Sequence, residues 1–420
     1  MRYVLIGNSA TAIGAVESIR RYDATGDITL LSDEPYATYS RPLISYLLLG
    51  KTTRQGMAYR PEHFYADNRV HFLPGKRAER IDAQGKRVLC ADGGALPYDR
   101  LLVATGSSPL VPPMQGLDRV ARAYTFASLD DALALQAALT PQSRVLIVGA
   151  GLIGLKCAEG ISRLAADIAV VDLAPRVLSS ILDEESASLV QRKLEENGLR
   201  FYLGDSVQTF SPDAATLRSG TVVPFDTLVL AIGVRPNTGL LADIGGKVGR
   251  GIAVDARMRT SVPDIYAAGD CTESVDASTG ETKVMALLPN AYMQGECAGA
   301  NMAGQDAVFD KGIPMNAIGF FGTHILTAGS YRGDTYVERG EGCLRKLFYS
   351  DNRLNGFILV ESRAGARAVR PVYDKAGIYT SLIREGTPLD TLDFDLILQA
   401  PGLVAFSRAD RLQKLGGAPH

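Results

Sequence analysis

Gly149, Gly151 and Gly154 form a glycine-rich loop in RVLIVGAGLIG, between an apolar run and a segment with helical periodicity. In a G-x-G-x-x-G loop the first glycine makes a tight turn, the second admits a pyrophosphate, and the third lets the helix approach the sheet. Amides at the start of the helix, which we assign to Leu152 and Ile153, would then face the phosphates. The pattern therefore predicts a dinucleotide site.

A carboxylate stands where the ribose of such a nucleotide would lie. Asp172 ends the next strand-like run, about 20 residues beyond the loop, where an acid accepts a hydrogen bond from the adenosine 2′-hydroxyl. It would repel a 2′-phosphate, so we predict NAD(H) rather than NADP(H). Arg176 leaves NADP(H) as an alternative, because a nearby arginine can accommodate that phosphate.

A second, less regular loop of this kind stands in YVLIGNSATAIG, near the start of the chain. Gly7 takes the first place, while Ser9 and Ala12 stand where glycines are usual. Ser9 could turn its hydroxyl to a phosphate, and we include Ala10 in the same site; a plain tight turn is the alternative. An acidic stretch follows the next strand, and Glu34 is our choice for the ribose carboxylate.

The two loops belong to a succession of elements that occurs twice. Each loop follows a short apolar strand and precedes a helix and a second strand, DITLLS in the first case and DIAVVD in the second. This order is the βαβ unit of a nucleotide-binding fold. Each unit is followed by an apolar strand that ends in glycine and proline. From about Ile313 onward the sequence predicts short strands such as RKLFYS and GFILV, with helices GIYTSLIREG and FDLILQ.

The composition indicates a globular protein of several domains and excludes some classes of partner. At 420 residues the chain is long enough for on the order of three domains. A formal net charge of -2 offers no basic field for nucleic acid. Apolar runs such as LISYLLLG are shorter than the roughly 20 residues of a membrane span. A strand-like YVLIG stands close to Met1, so we expect no leader peptide.

The cysteines and histidines are few and scattered. The chain has five cysteines and four histidines, and no C-x-x-C pair. The odd number of cysteines fits reduced thiols, so we expect a cytoplasmic protein. A metal or iron–sulfur site would need ligands from distant places, and we predict none in this chain.

Several ordered motifs together resemble one family. LLVATGSSP, LVLAIGVRPN and TSVPDIYAAGD stand in this order around the second glycine loop. Over essentially its whole length the chain resembles the FAD-dependent pyridine nucleotide-disulfide oxidoreductases. The resemblance implies an α/β fold with two Rossmann-like domains, the NAD(H) domain inserted in the FAD domain, and a small α+β C-terminal domain. The implied limits are 1–112 with 238–312 for FAD, 113–237 for NAD(H), and 313–420 for a C-terminal interface domain.

The same resemblance assigns FAD to the first unit, NAD(H) to the second, and further residues to the cofactors. Asp270 would bind the flavin ribitol, and Gly269 would let the backbone approach it closely. A surface aspartate after a strand is the alternative for Asp270. The other implied cofactor-binding residues are Ala104, Thr105, Gly106 and Gly233.

Within the family, the segment YATYSRPLISYLLLGK looks most like rubredoxin reductases and nitrite reductase large subunits. By that resemblance Arg41, Pro42 and Ser45 lie near the isoalloxazine. The same residues also fit a helix start, with Ser40 as the N-cap and a proline early in the first turn. Both interpretations can hold together.

The segment lacks the cysteine that thiol-dependent relatives use beside the flavin. A thiolate would have to accept two electrons or attack a substrate, and residues 39–51 contain none. Cys271 follows Asp270, but we interpret it as a lone buried thiol. The resemblance then implies that FAD takes hydride from NADH and passes single electrons to an acceptor outside the chain.

Two positions depart from the family pattern. Many relatives carry a lysine and a glutamate, which can pair beside the flavin, where this chain has Tyr46 and Lys156. One hypothesis is that Lys156 brings the cation from the opposite side and stabilises reduced flavin. The alternative is an ordinary helix-surface pair between Lys156 and Glu159.

The sequence thus favours a flavoprotein that exchanges electrons between NAD(H) and an iron–sulfur protein or subunit. Members of this branch without a redox cysteine resemble the FAD subunits of larger complexes, such as tungsten aldehyde oxidoreductases or 2-oxoacid oxidoreductases, which implies a hetero-oligomer. The alternatives are a freestanding NADH:rubredoxin or ferredoxin reductase, an NADH oxidase or thiol-type reductase, and a non-catalytic flavin-binding assembly module. The acceptor, the direction of electron flow and the flavin potential are left open.

Overall fold

The first part of the chain forms a parallel sheet around the first glycine loop. The computed structural model describes residues 1–362 and 366–392. Its first elements are β1 (Arg2–Ile6), α1 (Ala10–Tyr22), β2 (Asp27–Leu31), α2 (Ile44–Leu48), α3 (Phe64–Asp67), β3 (Val70–Leu73), β4 (Ala78–Asp82), β5 (Arg87–Cys90), β6 (Ala95–Pro97), β7 (Arg100–Val103) and β8 (Ser107–Pro109). Strand β1 lies between β2 and β7, with Leu5 opposite Leu30 and Leu102. Val4, Leu5 and Ile6 are buried, because a central parallel strand is covered on both faces.

The second part repeats this arrangement around the second loop. Its elements are β9 (Ala123–Tyr124), α4 (Leu129–Ala138), β10 (Arg144–Val148), α5 (Leu152–Ile161), β11 (Asp167–Asp172), α6 (Glu184–Glu196), β12 (Leu199–Leu203), β13 (Val207–Phe210), β14 (Ala214–Leu217), β15 (Val222–Pro224), β16 (Thr227–Leu230) and β17 (Val234–Pro236). The sheet has the order β12-β11-β10-β16-β9, so β10 is central here as β1 is in the first sheet. Gly7 N donates to Leu31 O at 2.9 Å, and Gly149 N donates to Val171 O at 2.8 Å. The two glycine loops therefore leave their strands at equivalent points.

The chain then returns to the first sheet. The next elements are α7 (Gly239–Ala242), β18 (Ile252–Ala253), β19 (Ile265–Ala267), β20 (Thr272–Val275), β21 (Thr282–Val284) and α8 (Leu288–Met302). Strand β19 pairs with β7, which gives the first sheet the order β19-β7-β1-β2-β3. A Cβ on Gly295 would lie 2.0 Å from Thr11 O, and one on Gly299 would lie 2.5 Å from Ala15 O. These two glycines let α8 approach α1 closely.

The last part, as far as its residues are described, is an antiparallel sheet with one α-helix. It contains β22 (Met315–Phe320), β23 (Thr323–Gly329), β24 (Asp334–Gly340), β25 (Cys343–Ser350), β26 (Arg353–Glu361) and α9 (Ala366–Glu385), with the strand order β22-β23-β26-β25-β24. Val372, Tyr379 and Leu382 of α9 are buried against the sheet. Helix α9 contains the predicted segment GIYTSLIREG, whereas FDLILQ lies outside the described residues. None of the helices in 1–362 and 366–392 is long and apolar enough to span a bilayer.

Two connections join the parallel units side by side. Strands β8 and β17 are antiparallel, with Val234 opposite Pro109 and Pro236 opposite Ser107. The chain therefore enters and leaves the second unit at one place. The domain limits 1–112 with 238–312, 113–237 and 313–420 stay a prediction.

One apolar cluster joins the second unit to the C-terminal sheet. It contains Leu155 and Ile161 of α5, Ile325 of β23, Phe348 of β25 and Ile44 of α2, each at most 6% exposed. The α2 segment therefore packs together with α5 and the C-terminal sheet.

Candidate nucleotide and flavin site

The first glycine of each loop lies against a carbonyl group. Gly7 has φ +108° and Gly149 has φ +118°, values that favour glycine. A Cβ on Gly7 would lie 2.1 Å from Ala104 O, and one on Gly149 would lie 2.3 Å from Ala231 O. The Ala-x-Gly segment of each unit therefore closes its loop in the same way. Ala104 is among the residues predicted from the sequence. Ala231, which takes the same place in the second unit, was not predicted.

The other two glycines of the second loop meet different surroundings. A Cβ on Gly154 would lie 1.9 Å from Gly149 O, whereas one on Gly151 would have no neighbouring heavy atom within 4 Å. The loop is therefore closed against the sheet at Gly154 and open at Gly151. This open cradle fits a pyrophosphate, which needs a close backbone approach at the second glycine.

The helices after the two loops begin without a side-chain cap. Ser9 is the N-cap residue of α1 and Gly151 that of α5, and neither makes a side-chain capping bond. By contrast, Ser128 caps α4 and Asp183 caps α6. An uncapped first turn keeps N–H groups available for an anion, so both loops fit phosphate groups. The predicted residues in these first turns are Ala10, Ala12, Leu152 and Ile153.

Asp172 is held against the second loop. Its Oδ2 accepts a hydrogen bond from Ala150 N at 2.6 Å, and its Oδ1 accepts one from Ala174 N at 2.7 Å. Each carboxylate oxygen has a second lone pair, so the group also fits a ribose hydroxyl. Arg176 donates from Nε to Leu182 O at 3.1 Å, which ties its side chain to the turn before α6.

Glu34 is engaged by two side chains near the first loop. Arg41 Nη2 donates to its Oε1 at 2.5 Å, and the Tyr39 hydroxyl donates to its Oε2 at 2.8 Å. By the match of the two loops, the position equivalent to Asp172 is Ser32, two residues before Glu34. The assignment of Glu34 to the FAD ribose stays a prediction.

Asn8, inside the first loop, fixes the surroundings of that loop. Its Oδ1 accepts hydrogen bonds from Thr38 Oγ1 at 2.6 Å and from the Tyr65 hydroxyl at 2.9 Å. Its Nδ2 donates to Tyr36 O at 3.1 Å. Sequence patterns do not identify Asn8, because a variable position of a glycine loop carries no signal for partners far along the chain.

The AAGD segment brings Asp270 to the first loop. A Cβ on Gly269 would lie 2.3 Å from Thr11 Oγ1, and Gly269 N donates to Gln294 Oε1 at 2.7 Å. Burial raises the pKa of Asp270, and the Arg41 guanidinium opposes this shift. Arg41 therefore acts on Asp270 through its charge, and Gln294 of α8 is added as the residue that holds the segment.

Thr105, Gly106 and Gly233 lie where the chain crosses between the two units. Thr105 Oγ1 donates to Asn237 O at 2.7 Å, and Asn237 N donates to Gly106 O at 3.0 Å. Leu110 N donates to Gly233 O at 2.9 Å. These residues hold the double connection together, and their contact with a cofactor stays a prediction.

Residues 41–43 form a 3₁₀ turn that leads into α2. Ser40 occupies its N-cap position but makes no side-chain capping bond, so the expected cap is wrong. Pro42 is exposed, and the buried Ser45 donates from Oγ to Pro42 O at 3.3 Å. A Cβ on Gly160 would lie 3.3 Å from Ser45 Cα. Helix α5, which follows the second glycine loop, therefore packs directly on this segment; the role of Arg41, Pro42 and Ser45 beside a flavin stays a prediction.

Lys156 and Tyr46 meet, as the family pattern implies for their two positions. Lys156 Nζ lies 4.4 Å from the centroid of the Tyr46 ring. The ammonium group also donates to Glu159 Oε2 at 2.5 Å and to Gly319 O at 3.0 Å. The side chain of Glu159 is 3% exposed and that of Lys156 is 15% exposed. The pair with Glu159 is therefore present but buried, and a role of Lys156 beside the flavin stays a prediction.

Burial disfavours the thiolate form of four of the five cysteines. It raises the pKa of Cys271 and that of Cys297 to about 11 each, and it also raises the pKa of Cys90 and Cys157. The thiolate is the reactive form, so the environments of these four residues oppose thiol redox chemistry. Within the described residues, no three side chains of His, Cys, Asp or Glu form a group that could hold a metal ion.

The fold and the paired loops define an α/β oxidoreductase with two nucleotide-binding units. The model of the pyridine nucleotide-disulphide oxidoreductase family matches residues 1–295, and the chain belongs to this family. The NADH-dependent phenylglyoxylate dehydrogenase subunit epsilon of Aromatoleum evansii is 32% identical over 408 residues, which cover 93% of each chain. The rubredoxin-NAD(+) reductase of Pseudomonas putida is 29% identical over 310 residues, 72% of this chain and 80% of that protein. The structure of a NAD-dependent persulfide reductase from A. fulgidus matches with a TM-score of 0.84 and 26% identity, over 98% of this chain and 84% of that one.

Membership of this family confirms the predicted fold class and cofactors. The cofactors are FAD and NAD(H), and the chain is an FAD-dependent NAD(H) oxidoreductase. The open cradle at Gly151, the uncapped starts of α1 and α5, and the carboxylate of Asp172 fit these cofactors. When bound, FAD supplies the chemistry of hydride and electron transfer, while the protein binds and orients the reactants.

Proposed function

We propose that this chain is the NAD(H)-reacting flavoprotein subunit of a larger complex and exchanges single electrons with an iron–sulfur protein or subunit. The lack of a cysteine in residues 39–51 is the observation that carries the proposal. Without a thiol at that place, the segment has no group that takes up an electron pair, so the electrons pass to an outside acceptor. The scattered cysteines assign the iron–sulfur centres to the partner.

The likeness to a dehydrogenase subunit supports assembly in a complex. It extends over 93% of both chains and concerns a subunit of a NADH-dependent enzyme. Phenylglyoxylate is a 2-oxo acid, so this likeness favours a 2-oxoacid oxidoreductase. A tungsten aldehyde oxidoreductase is the other complex that we infer, and in either complex electrons can run from the iron–sulfur centres to NAD⁺.

In this proposal each unit holds one cofactor. The first loop and the start of α1 bind the FAD phosphates, and Arg41 and Asp270 set the charge on the protein side of the flavin. The second loop binds the NAD(H) phosphates, and Asp172 binds the adenosine ribose. The C-terminal sheet offers the contact surface for the partner.

A freestanding NADH:rubredoxin or ferredoxin reductase is the second candidate. The likeness to a rubredoxin-NAD(+) reductase over 72% of this chain favours it. The two candidates differ in assembly, so gel filtration of the protein from its native cells separates them. A single elution peak at the mass of one chain supports the freestanding reductase, whereas elution together with iron-containing subunits supports the complex.

An anaerobic titration tests the step that both candidate functions share, the reduction of bound flavin by NADH. NADH and then NADPH are added to the purified protein while the flavin absorbance is recorded. We expect bleaching by micromolar NADH, little oxygen consumption in air, and reoxidation by added rubredoxin or ferredoxin. Protein without flavin, or flavin that NADH does not bleach, would refute electron transfer and favour an assembly module. Fast oxygen consumption would favour an NADH oxidase.

A further inference from the structure

The turn between β22 and β23 has a strained backbone. Phe320 pairs with Thr323, and the two residues between them, Phe321 and Gly322, have φ +47° and +84°. Two positive φ values in a two-residue hairpin loop are those of a type I′ turn, which prefers asparagine followed by glycine. A bulky aromatic residue at positive φ is an outlier. Such a conformation persists where its surroundings hold it.

A carboxylate from another unit of the protein holds this turn. Glu159 of α5 accepts a hydrogen bond at Oε1 from Phe321 N, with a distance of 2.9 Å. Its Oε2 accepts from Lys156 Nζ at 2.5 Å, and Nζ also donates to Gly319 O at 3.0 Å. The two side chains of α5 therefore bind the turn on both sides of Phe320. Because both are largely buried, water competes little for these bonds.

Aromatic rings complete the junction. Lys156 Nζ lies 4.4 Å from the centroid of the Tyr46 ring and 5.3 Å from that of Phe320. Phe321 packs on the apolar cluster that also contains Ile44 of α2. The turn, helix α5 and the α2 segment thus meet at the Lys156–Glu159 pair.

We propose that Lys156 and Glu159 are positioning residues that couple the NAD(H) site to this turn. The inference rests on the proposed function in one respect, namely that NAD(H) phosphates bind where α5 begins. Glu159 lies two helical turns farther, about 10 Å along the axis. A helix this short moves as a rod, so a displacement of its first turn by the nucleotide reaches the amide of Phe321. The turn responds to this displacement because the hydrogen bond from Phe321 N to Glu159 holds its backbone in the strained conformation.

Two double variants separate the hydrogen bond from the charges. Lys156→Met/Glu159→Gln and Lys156→Met/Glu159→Ala both remove the pair without leaving one buried charge alone. The glutamine keeps an acceptor for Phe321 N, and the alanine does not. Hydrogen exchange of the FAD-loaded protein is followed in peptides that span residues 316–326. We expect the amide of Phe321 to exchange about tenfold faster in the alanine variant than in the glutamine variant. Equal exchange in the two variants overturns the positioning role.

Addition of NAD⁺ tests the coupling in the same samples. In the wild type and the glutamine variant, saturating NAD⁺ should change the exchange of the turn by about fivefold or more; in the alanine variant it should not. An unchanged turn in the wild type, with protection of the peptide that contains Gly149 and Gly154, refutes the coupling alone. If that loop peptide is not protected either, the NAD(H) site of the proposed function fails as well.

A more exposed pair of the same spacing provides the control. Lys193 Nζ lies 3.2 Å from Glu196 Oε2 on α6, a different helix from the one whose side chains bind the turn. Lys193→Met/Glu196→Gln should leave the exchange of residues 316–326 and its response to NAD⁺ unchanged. The wild-type comparison with and without NAD⁺ also decides the coupling if the alanine variant does not fold.

Discussion

The Arg41 guanidinium binds the Glu34 carboxylate, with 2.5 Å between Nη2 and Oε1. The same guanidinium donates to Ala127 O at 3.2 Å, and its charge opposes the rise in the pKa of Asp270 that burial causes. One cation therefore interacts with two carboxylates from distant parts of the chain and with a carbonyl group of the second unit. Its removal leaves an excess of negative charge beside the first glycine loop.

We expect Arg41→Ala to bind FAD about tenfold more weakly than the wild type, because the uncompensated carboxylates repel the pyrophosphate. The dissociation constant is measured by adding FAD to apoprotein and following flavin fluorescence. Arg54→Ala is the matched control, since Arg54 is exposed and lies over the Tyr36 ring. Equal losses of affinity in the two variants would contradict a specific role for Arg41.

Asp270→Asn should stabilise the apoprotein at neutral pH, because burial raises the pKa of Asp270 and makes its charged form costly in the fold. A carboxyl group with a raised pKa favours folding at low pH, and this contribution is lost as the pH rises through its folded pKa. The gain in free energy of unfolding should therefore be on the order of 1 kcal/mol at pH 7 and vanish near about pH 3. Urea denaturation at both pH values measures it. A less stable asparagine variant at pH 7 would show that Arg41 compensates the charge fully.

Gly151→Ala and Gly154→Ala should separate binding from folding. The alanine methyl group at position 151 enters open space, so the apoprotein should melt as the wild type does, while NADH binds about tenfold more weakly. At position 154 the methyl group meets Gly149 O, so the fold itself should lose on the order of 2 kcal/mol. Thermal melting and NADH titration give the two quantities. A loss of stability in Gly151→Ala would place protein, not nucleotide, above that glycine.

The nucleotide units were predictable because local spacing in the sequence defines them. Features that depend on contacts between distant parts of the chain were not predictable. The glycines of the second loop and Asp172 stand within one βαβ unit, so their spacing alone indicates the site. Asn8 and Gln294 act through partners that no local spacing reveals. The buried state of the Lys156–Glu159 pair depends on a turn of the C-terminal sheet, so the sequence left an ordinary helix-surface pair open as one of two interpretations of Lys156. The Ser40 cap failed for a related reason: a residue type that favours a cap does not fix the direction of its hydroxyl group.

Asp172→Asn should weaken the preference for NADH. The amide keeps an oxygen acceptor but carries no charge to repel a 2′-phosphate, so the ratio of NADPH to NADH efficiency should rise about tenfold. Stopped-flow rates of flavin reduction by each nucleotide give the ratio. Arg176→Ala serves as the control: since Arg176 is tied to Leu182 O, we expect no change in the ratio. A fall of NADPH efficiency in Arg176→Ala would show that this arginine reaches the nucleotide.

Lys346 should hold the C-terminal sheet to the second unit in a pH-dependent way. Its buried ammonium group lies 2.5 Å from Asp183 Oδ2 and 2.8 Å from Glu185 Oε2. Hydrogen bonds from Arg339 and Lys346 lower the pKa of Glu185 to about 2. A carboxyl group with a lowered pKa stabilises the fold above its usual pKa, and this contribution is lost as the pH falls through the folded value.

We therefore expect Lys346→Met to lose about 2 kcal/mol of stability at pH 7 and to lose less on acidification from pH 5 to pH 2 than the wild type. Urea denaturation across this range measures both effects. Lys193→Met, which removes a partly exposed lysine of α6, should change neither. A parallel pH dependence in Lys346→Met and the wild type would show that the acids do not depend on Lys346.

The pairing of β8 with β17 places Pro109 opposite Val234, so the ends of the intervening stretch are already side by side. A chain from which residues 110–233 were excised could be rejoined there by a short loop, with the strand order of the first sheet intact. The stretch is in this sense a cassette, and a different reductant-binding module could be grafted in its place. Such a graft would have to supply an apolar face for Ile44 and Leu48, which now pack in the cluster shared with α5.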